Sequence, residues 1–386
     1  MVRQMFHAGY ERAPLPPARP ETPEATTPTR SPEPPAASGG ASRDKRRDPF
    51  FDNAKYLTIL LVGIGHAWEP LRSDSRAAVA LYIAVYAFHM PAFIIISGYL
   101  SRSFEGRPSQ LKRLITGVAV PYLVFEVIYT LFMRWLAEPD RSFALLSPSW
   151  GLWFLVALFI WRLTTPLWNT LRWPLPVALG IAVLASITPK IGGDLNLQRV
   201  LQFLPFFVLG LQLRPAHFDM LRHRALRIAA LPVMVCALIF AYWAAPRMNH
   251  SWFFHKYSAQ DLGVPWWVGV VMTFALFGCA LVLTACFFVW TPRRTMWFTS
   301  LGAGTLYGYL LHFYPLRLAR ELGWYDMGWV DSPLSRVIIT LLAMVMMTVL
   351  CTALVQRVFR IVMEPKMEWA FKTDSVAEAR KRVTRG

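Results

Sequence analysis

Charge is what this chain has least of. Of its 386 residues only 16% are Asp, Glu, Lys or Arg, against roughly 25% in an average soluble domain. Acidic charge is the scarcer half: 23 Asp and Glu face 40 Lys and Arg, for a formal net charge of +17. Cysteine is rare as well. The four (Cys236, Cys279, Cys286 and Cys351) sit inside apolar runs with no Cys-x-x-Cys or Cys/His ligand spacing. They read as buried thiols and carry no information on disulfides. His250 and His255, five apart, suit neither face of a helix, so no metal site is expected. No apolar run stands near the start: some fifty polar residues come first, too many for a cleavable signal peptide.

What is present is apolar. Hydrophobic residues make up 55% of the chain and aromatics 14%, with a mean hydropathy of +0.36. Runs near or beyond the ~18-residue threshold for a membrane span recur along almost everything after residue 50. The expected fold class is all-α, a polytopic integral membrane protein. Ten helices are expected, near 50–69, 78–100, 114–136, 150–168, 174–189, 198–213, 227–245, 265–290, 297–316 and 334–358. The basic residues lie in loops between these runs and form no aromatic-interleaved stripe, so the partner they imply is the lipid bilayer and not nucleic acid. With the N-terminus inside, cytoplasmic loops and the C-terminal tail hold 19 cations and the outside loops 11. That favours an even number of spans with both termini cytoplasmic, in the cell membrane.

Three regions follow. Residues 1–48 are rich in Pro, Ala, Ser, Thr and Arg and cannot bury enough apolar surface to offset ordering entropy, so they read as a disordered cytoplasmic tail. Residues 49–360 form the transmembrane domain, and 361–386 a basic cytoplasmic tail.

Within the transmembrane domain the chemistry concentrates in the first two helices. DNAKYLTILLVGIGHAWE places Asp52, Lys55, His66 and Glu69 in or beside an apolar run. Lys55 and His66 are eleven residues apart, about three turns, and so share a face roughly 16 Å apart along the axis. Ionisable groups at that depth are costly and mark a candidate site. Two readings of Lys55 stay open: its stem can snorkel to the headgroups, or its ammonium can pair with Asp52 or with an anionic ligand. His66 is too short to snorkel; it is either an interhelical hydrogen-bonder or a proton acceptor, with Glu69 three residues on able to hold the ring. In the second helix Pro91 cannot donate to the carbonyl of Ala87, which frees an acceptor beside His89 and kinks the helix. Ser97 and Gly98 follow, as packing residues or as cavity wall. Glu126, Arg199, Gln202 and His312 are further polar residues in apolar helices that can line the same cavity. The loop 246–264, with His250, Trp252, His255, Trp266 and Trp267 in or beside it, reads either as an aromatic belt or as a rim on which a cyclic acceptor stacks.

These residues carry a family resemblance. Lys55-x(10)-His66 resembles the Arg-x(10)-His signature of the acyltransferase 3 family, with Lys in the Arg position. FHMPAFIIISGYL (88–100) is similar to that family's second-helix motif. Lys112-Arg113 with Pro121-Tyr122, GLWFLVALFIW (151–161), FLPFFVLGLQL (203–213) and LGAGTLYGYLLHFYP (301–315) follow in the family's order. The similarity spans about 50–360 and is strongest to the sugar O-acetylase-like branch. It implies an O-acyltransferase that moves an acyl group, usually acetyl from acetyl-CoA as a donor substrate, to a hydroxyl of a carbohydrate or glycolipid acceptor, with no bound cofactor. By the same resemblance His66 matches the essential histidine, with Glu69 beside it, while Lys55, Asp52, Lys112 and Arg113 lie on the donor side. Two departures stand out: a lysine point charge replaces arginine's bidentate fork, and the family's paired-arginine motif is reduced to Lys112-Arg113. No C-terminal esterase-like domain is expected. The alternative class is a proton-coupled transporter or flippase of a glycan or small metabolite, in which Asp52, Lys55, His66 and Glu126 form a path. Transporters more often show two related halves, and no such repeat is visible.

Overall fold

A computed structural model describes residues 48–371, apart from 73–74, 192–193, 331 and 366. The tail expected before residue 48 and the last fifteen residues of the basic C-terminal tail lie outside the described residues. The described residues form helices joined by turns and loops and contain no strand.

The first helix, α1 (Pro49–Ala67), starts where its composition says it should. Asp48 accepts the Phe50 N–H at 2.9 Å as N-cap, Pro49 opens the first turn, and Asp52 supplies negative charge there. The single kinked helix expected over 78–100 is two helices, α2 (Arg76–Tyr86) and α3 (His89–Ser101), broken at residues 87–88. Pro91 thereby falls in the first turn of α3, where its missing N–H leaves no hole in the ladder. Next come α4 (Pro108–Leu114) and α5 (Val120–Leu136), joined by one π-turn, Ile115–Ala119, just before Pro121. The middle of the chain supplies α6 (Trp153–Leu163), α7 (Thr165–Thr170), α8 (Pro174–Ile187), α9 (Leu197–Gln212) and α10 (Pro215–Met220). Two long helices follow, α11 (Arg224–Ala244) and α12 (Trp266–Trp290), then α13 (Thr305–Leu311) and α14 (Phe313–Glu321). The chain closes with α15 (Pro333–Leu350) and α16 (Ala353–Met363).

Each of the ten expected apolar stretches is helical, with breaks at prolines, glycines and polar turns that divide several of them. Among the described residues, five segments are long and apolar enough to cross a membrane: 76–101, 108–136, 224–244, 266–290 and 333–350. The last three leave Ile239, Phe240, Val271 and Leu342 exposed along their length, a surface suited to hydrocarbon and not to water.

At the centre α1 packs against α3, α13 and α15, and against a 3₁₀ turn at Thr299–Ala303. The tightest crossing is that of α3 and α9. A Cβ on Gly98 would meet the backbone carbonyl of Phe207, and one on Gly210 would meet that of Ile95, so the two backbones touch only because both positions are glycine. Gly302 and Gly304 serve the same purpose against the backbones of Asp52 and Cys351. The aromatic core of Phe50, Trp161, Phe206, Phe207 and Phe313 fills the space between.

Candidate active site

A cavity of about 290 Å³ lies at the C-terminal end of α1. Its walls come from the last turns of α1, the α2–α3 break, the connection at 148–151 before α6, the start of α9 and the loop at 253–257. Four of the polar residues singled out in the sequence meet there: His66, Glu69, His89 and Arg199.

His66 stands in the last turn of α1. Its Nδ1 is 3.7 Å from the Glu69 carboxylate and 3.5 Å from the Tyr86 hydroxyl. Its ring lies against Trp150 and Phe313, with centroids at 5.1 and 5.7 Å. No hydrogen bond engages its Nε2 among the described residues. Glu69 follows the end of α1, where its other oxygen is 3.6 Å from Arg72. Burial opposes its ionisation, but His66, Arg72 and Arg320 outweigh that and hold its carboxyl below the usual carboxylate range. An ionised carboxylate at the Nδ1 side of an imidazole fixes the ring and favours the tautomer with the proton on Nδ1.

His89 opens α3, and its Nδ1 donates to the carbonyl of Val85 at 2.8 Å, because the break at 87–88 turns the first residue of α3 back over the last turn of α2. His312 repeats the pattern inside the protein. It is fully buried, Nδ1 donates to the Gly308 carbonyl at 3.0 Å, and Nε2 has no partner among the described residues. Its ring is 5.5 Å from that of His66 but lies behind the cavity wall.

Glu126 and Gln202 also stand behind the wall and act on the segments that form it. Glu126 accepts the Ser149 backbone N–H at 2.8 Å and the Ser149 hydroxyl as well. The next residue, Trp150, is left in the left-handed region at φ 41°, where a bulky side chain is strained and persists only when its surroundings hold it. Gln202 donates to the Tyr257 carbonyl at 3.1 Å, and Arg199 Nε to that of Phe254 at 3.1 Å, so successive turns of α9 fasten the loop at 250–257 over the cavity. Ser97 is outside the lining; its hydroxyl donates to the Phe93 carbonyl at 2.8 Å.

The cations assigned to the donor side are not brought to this cavity. Lys55 pairs with Asp52 at 2.8 Å near the other end of α1. Lys112 and Arg113 lie on α4, with the Lys112 ammonium 5.0 Å from the Phe371 ring. Between Asp52 and Lys55 sits a residue that sequence reasoning passed over. Asn53 is fully buried and donates to the carbonyls of Pro292 and Arg294 at 2.9 and 3.0 Å, while its Oδ1 accepts the Thr299 hydroxyl at 2.7 Å.

Tyr86, Trp150 and Tyr309 were missed as cavity residues. Tyr86 was findable, since it precedes His89 by three positions and so shares its side of the chain. Trp150 and Tyr309 were not, because a connection and a thirteenth helix meet His66 only in the folded chain. Of the aromatic loop, Phe253, Phe254 and Tyr257 line the cavity, whereas Trp266 and Trp267 are exposed at the start of α12.

A family model described as an acyltransferase domain, that of the acyltransferase 3 family, matches residues 48–356. The chain is 26% identical to nodulation protein NolL of Sinorhizobium fredii over 313 residues, which cover 74% of this chain and 82% of the relative. It is 30% identical to NolL of Mesorhizobium japonicum over 185 residues, 42% of this chain and 47% of that one. No solved structure gives a significant match. With the match running from the cap of α1 into α16, the chain belongs to the acyltransferase 3 family and is a membrane O-acyltransferase.

Proposed function

We propose that this protein transfers an acyl group, acetyl in the first instance, from acyl-CoA to a hydroxyl of a carbohydrate or glycan-like acceptor, with His66 as general base. The observation that carries the reading is the pairing of His66 Nδ1 with Glu69 at 3.7 Å on the wall of an aromatic-sided cavity. With Nδ1 held in this way, Nε2 is the nitrogen left to take a proton. The acceptor hydroxyl gives its proton to Nε2 as its oxygen attacks the thioester carbonyl. The C–O bond forms, the C–S bond breaks, and the imidazolium returns the proton to the departing CoA thiolate. The carboxylate of Glu69 stabilises the imidazolium between the two transfers. Attack by His66 itself, through an acyl-imidazole, is the two-step form of the same chemistry.

The cavity's size supports a single sugar ring with the end of an acyl-thioester arm, and not a whole coenzyme. Lys55, with Asp52, and Lys112 and Arg113 fit the CoA phosphates at the opposite end of α1, from which the pantetheine arm reaches inward. In this reading the chain spans the cell membrane ten times, both termini are cytoplasmic, and the cavity opens on the far side.

The test is acyl transfer from labelled acetyl-CoA by vesicles that contain the wild type or His66→Ala. A positioned general base contributes ~10²–10⁴-fold, so the variant should lose activity by that order while it inserts normally. Undiminished transfer by stably inserted His66→Ala overturns the mechanism.

A further inference from the structure

The cavity holds more positive charge than its catalytic chemistry uses. Arg199, on the first turn of α9, lines it with no carboxylate within ion-pair distance among the described residues. Among the described residues only the guanidinium's Nε is engaged, by the Phe254 carbonyl at 3.1 Å, and no hydrogen bond engages either terminal nitrogen. Its carbon stands 5.1 Å over the Trp153 ring, which fixes the plane of the fork. Lys256, on the loop that Arg199 itself fastens, lines the same cavity from the solvent side. The one acidic residue in the lining, Glu69, is already flanked by His66 at 3.7 Å and Arg72 at 3.6 Å.

A half-buried guanidinium that lines a cavity with its terminal donors unengaged is open to an anionic ligand. The complement of a planar fork is a carboxylate or phosphate, bound through two parallel charge-assisted hydrogen bonds. Around it Tyr82, Tyr86, Phe203 and Phe254 supply flat faces for a pyranose ring.

We infer that Arg199, assisted by Lys256, is an anion-binding subsite of the acceptor cavity, and that the acceptor is an acidic sugar: a hydroxyl-bearing ring with a carboxylate or phosphate substituent. The subsite also orients the ring. With the anion held at the start of α9, a hydroxyl on the other edge of the ring is the one turned towards His66 on α1. The inference rests on the acyl-transfer reading only in calling the ligand the acceptor.

The experiment measures binding to the full-length protein in lipid nanodiscs, by saturation-transfer NMR titration. The probes are glucuronic acid, its methyl ester and glucose 6-phosphate, each with and without coenzyme A. The wild type should bind the acid or the phosphate about tenfold or more tightly than the ester. Arg199→Gln should bring the acid and ester within about threefold of each other, Arg199→Lys should keep part of the preference, and Lys256→Gln should weaken it. If Arg199→Gln does not insert, Lys256→Gln and the salt dependence of acid binding decide the matter, since Lys256 is an exposed loop residue. Equal affinity for acid and ester, binding of neither, or a preference untouched in every variant overturns the subsite. Displacement of glucuronate by coenzyme A also overturns it, by assigning the cations to the donor. Acetyl transfer is measured on the same preparation: anion selectivity without transfer upholds the subsite and sinks the acyl-transfer mechanism, and transfer without selectivity does the reverse.

Discussion

Glu126, on α5, accepts the backbone N–H of Ser149 at 2.8 Å, and Trp150, the next residue, faces His66 with ring centroids 5.1 Å apart. A carboxylate that never reaches the cavity thus sets one of its walls. Its acceptor capacity is matched twice over, by the Ser149 amide and hydroxyl, and Arg141 donates to the same hydroxyl at 2.8 Å.

Removing that carboxylate should therefore disturb geometry more than chemistry. Glu126→Ala leaves the Ser149 N–H buried and unpaired, which costs about 1–3 kcal/mol, and frees Trp150 from its left-handed conformation. Thermal unfolding in detergent should show the lower stability, and acyl transfer should fall mainly through a higher KM for the acceptor. Glu126→Gln, which still offers one oxygen, should recover part of both. A variant with unchanged Tm and KM would break the link between α5 and the cavity wall.

Glu69→Gln is nearly the same size but cannot stabilise an imidazolium. It should lower kcat by tenfold or more, about 1.4 kcal/mol of transition-state stabilisation, while leaving the KM for acetyl-CoA little changed. Because Glu69 is held below the usual carboxylate range, the wild type needs it ionised and keeps that charge until the pH falls below that range. In Glu69→Gln, where no carboxylate offsets the imidazolium, the acid limb set by protonation of the general base should move to lower pH. A pH–rate profile with the same acid limb in wild type and variant would remove Glu69 from the mechanism.

At the other end of α1 the charge of Lys55 separates two roles. If it holds a donor phosphate, Lys55→Arg should keep most activity, while Lys55→Glu, which sets a second carboxylate beside Asp52, should raise the KM for acetyl-CoA at least tenfold. Equal activity in both variants would reduce the Lys55–Asp52 pair to a helix-end contact.

Gly98 tests the packing of α3 on α9. With the carbonyl of Phe207 where a Cβ would stand, Gly98→Leu forces the helices apart and should cost at least the ~1–3 kcal/mol typical of overpacked sites. Gly117→Ala, at a helical glycine with open space around it, is the control and should not destabilise. A loss of Tm in both, or in neither, would contradict the close crossing.

The amino-acid order by itself determined where the helices lie, though not where they break. Apolar length and period place helices at all ten expected stretches, because a hydrocarbon-facing chain must satisfy its backbone internally and does so by local hydrogen bonds. His66 and Glu69 were legible for the same local reason: three residues apart at one helix end, they meet whatever the rest of the chain does. Their neighbours were not. Tyr309 and Trp150 line the same cavity as His66 from 243 and 84 positions away, and nothing in their own surroundings says so. Tertiary structure also divided the polar residues into those that line the cavity, His89 and Arg199, and those that fasten its walls, Glu126 and Gln202. A buried carboxylate or amide must find hydrogen-bond partners wherever the fold presents them, and only the packed helices decide whether those partners are a neighbouring backbone or a substrate.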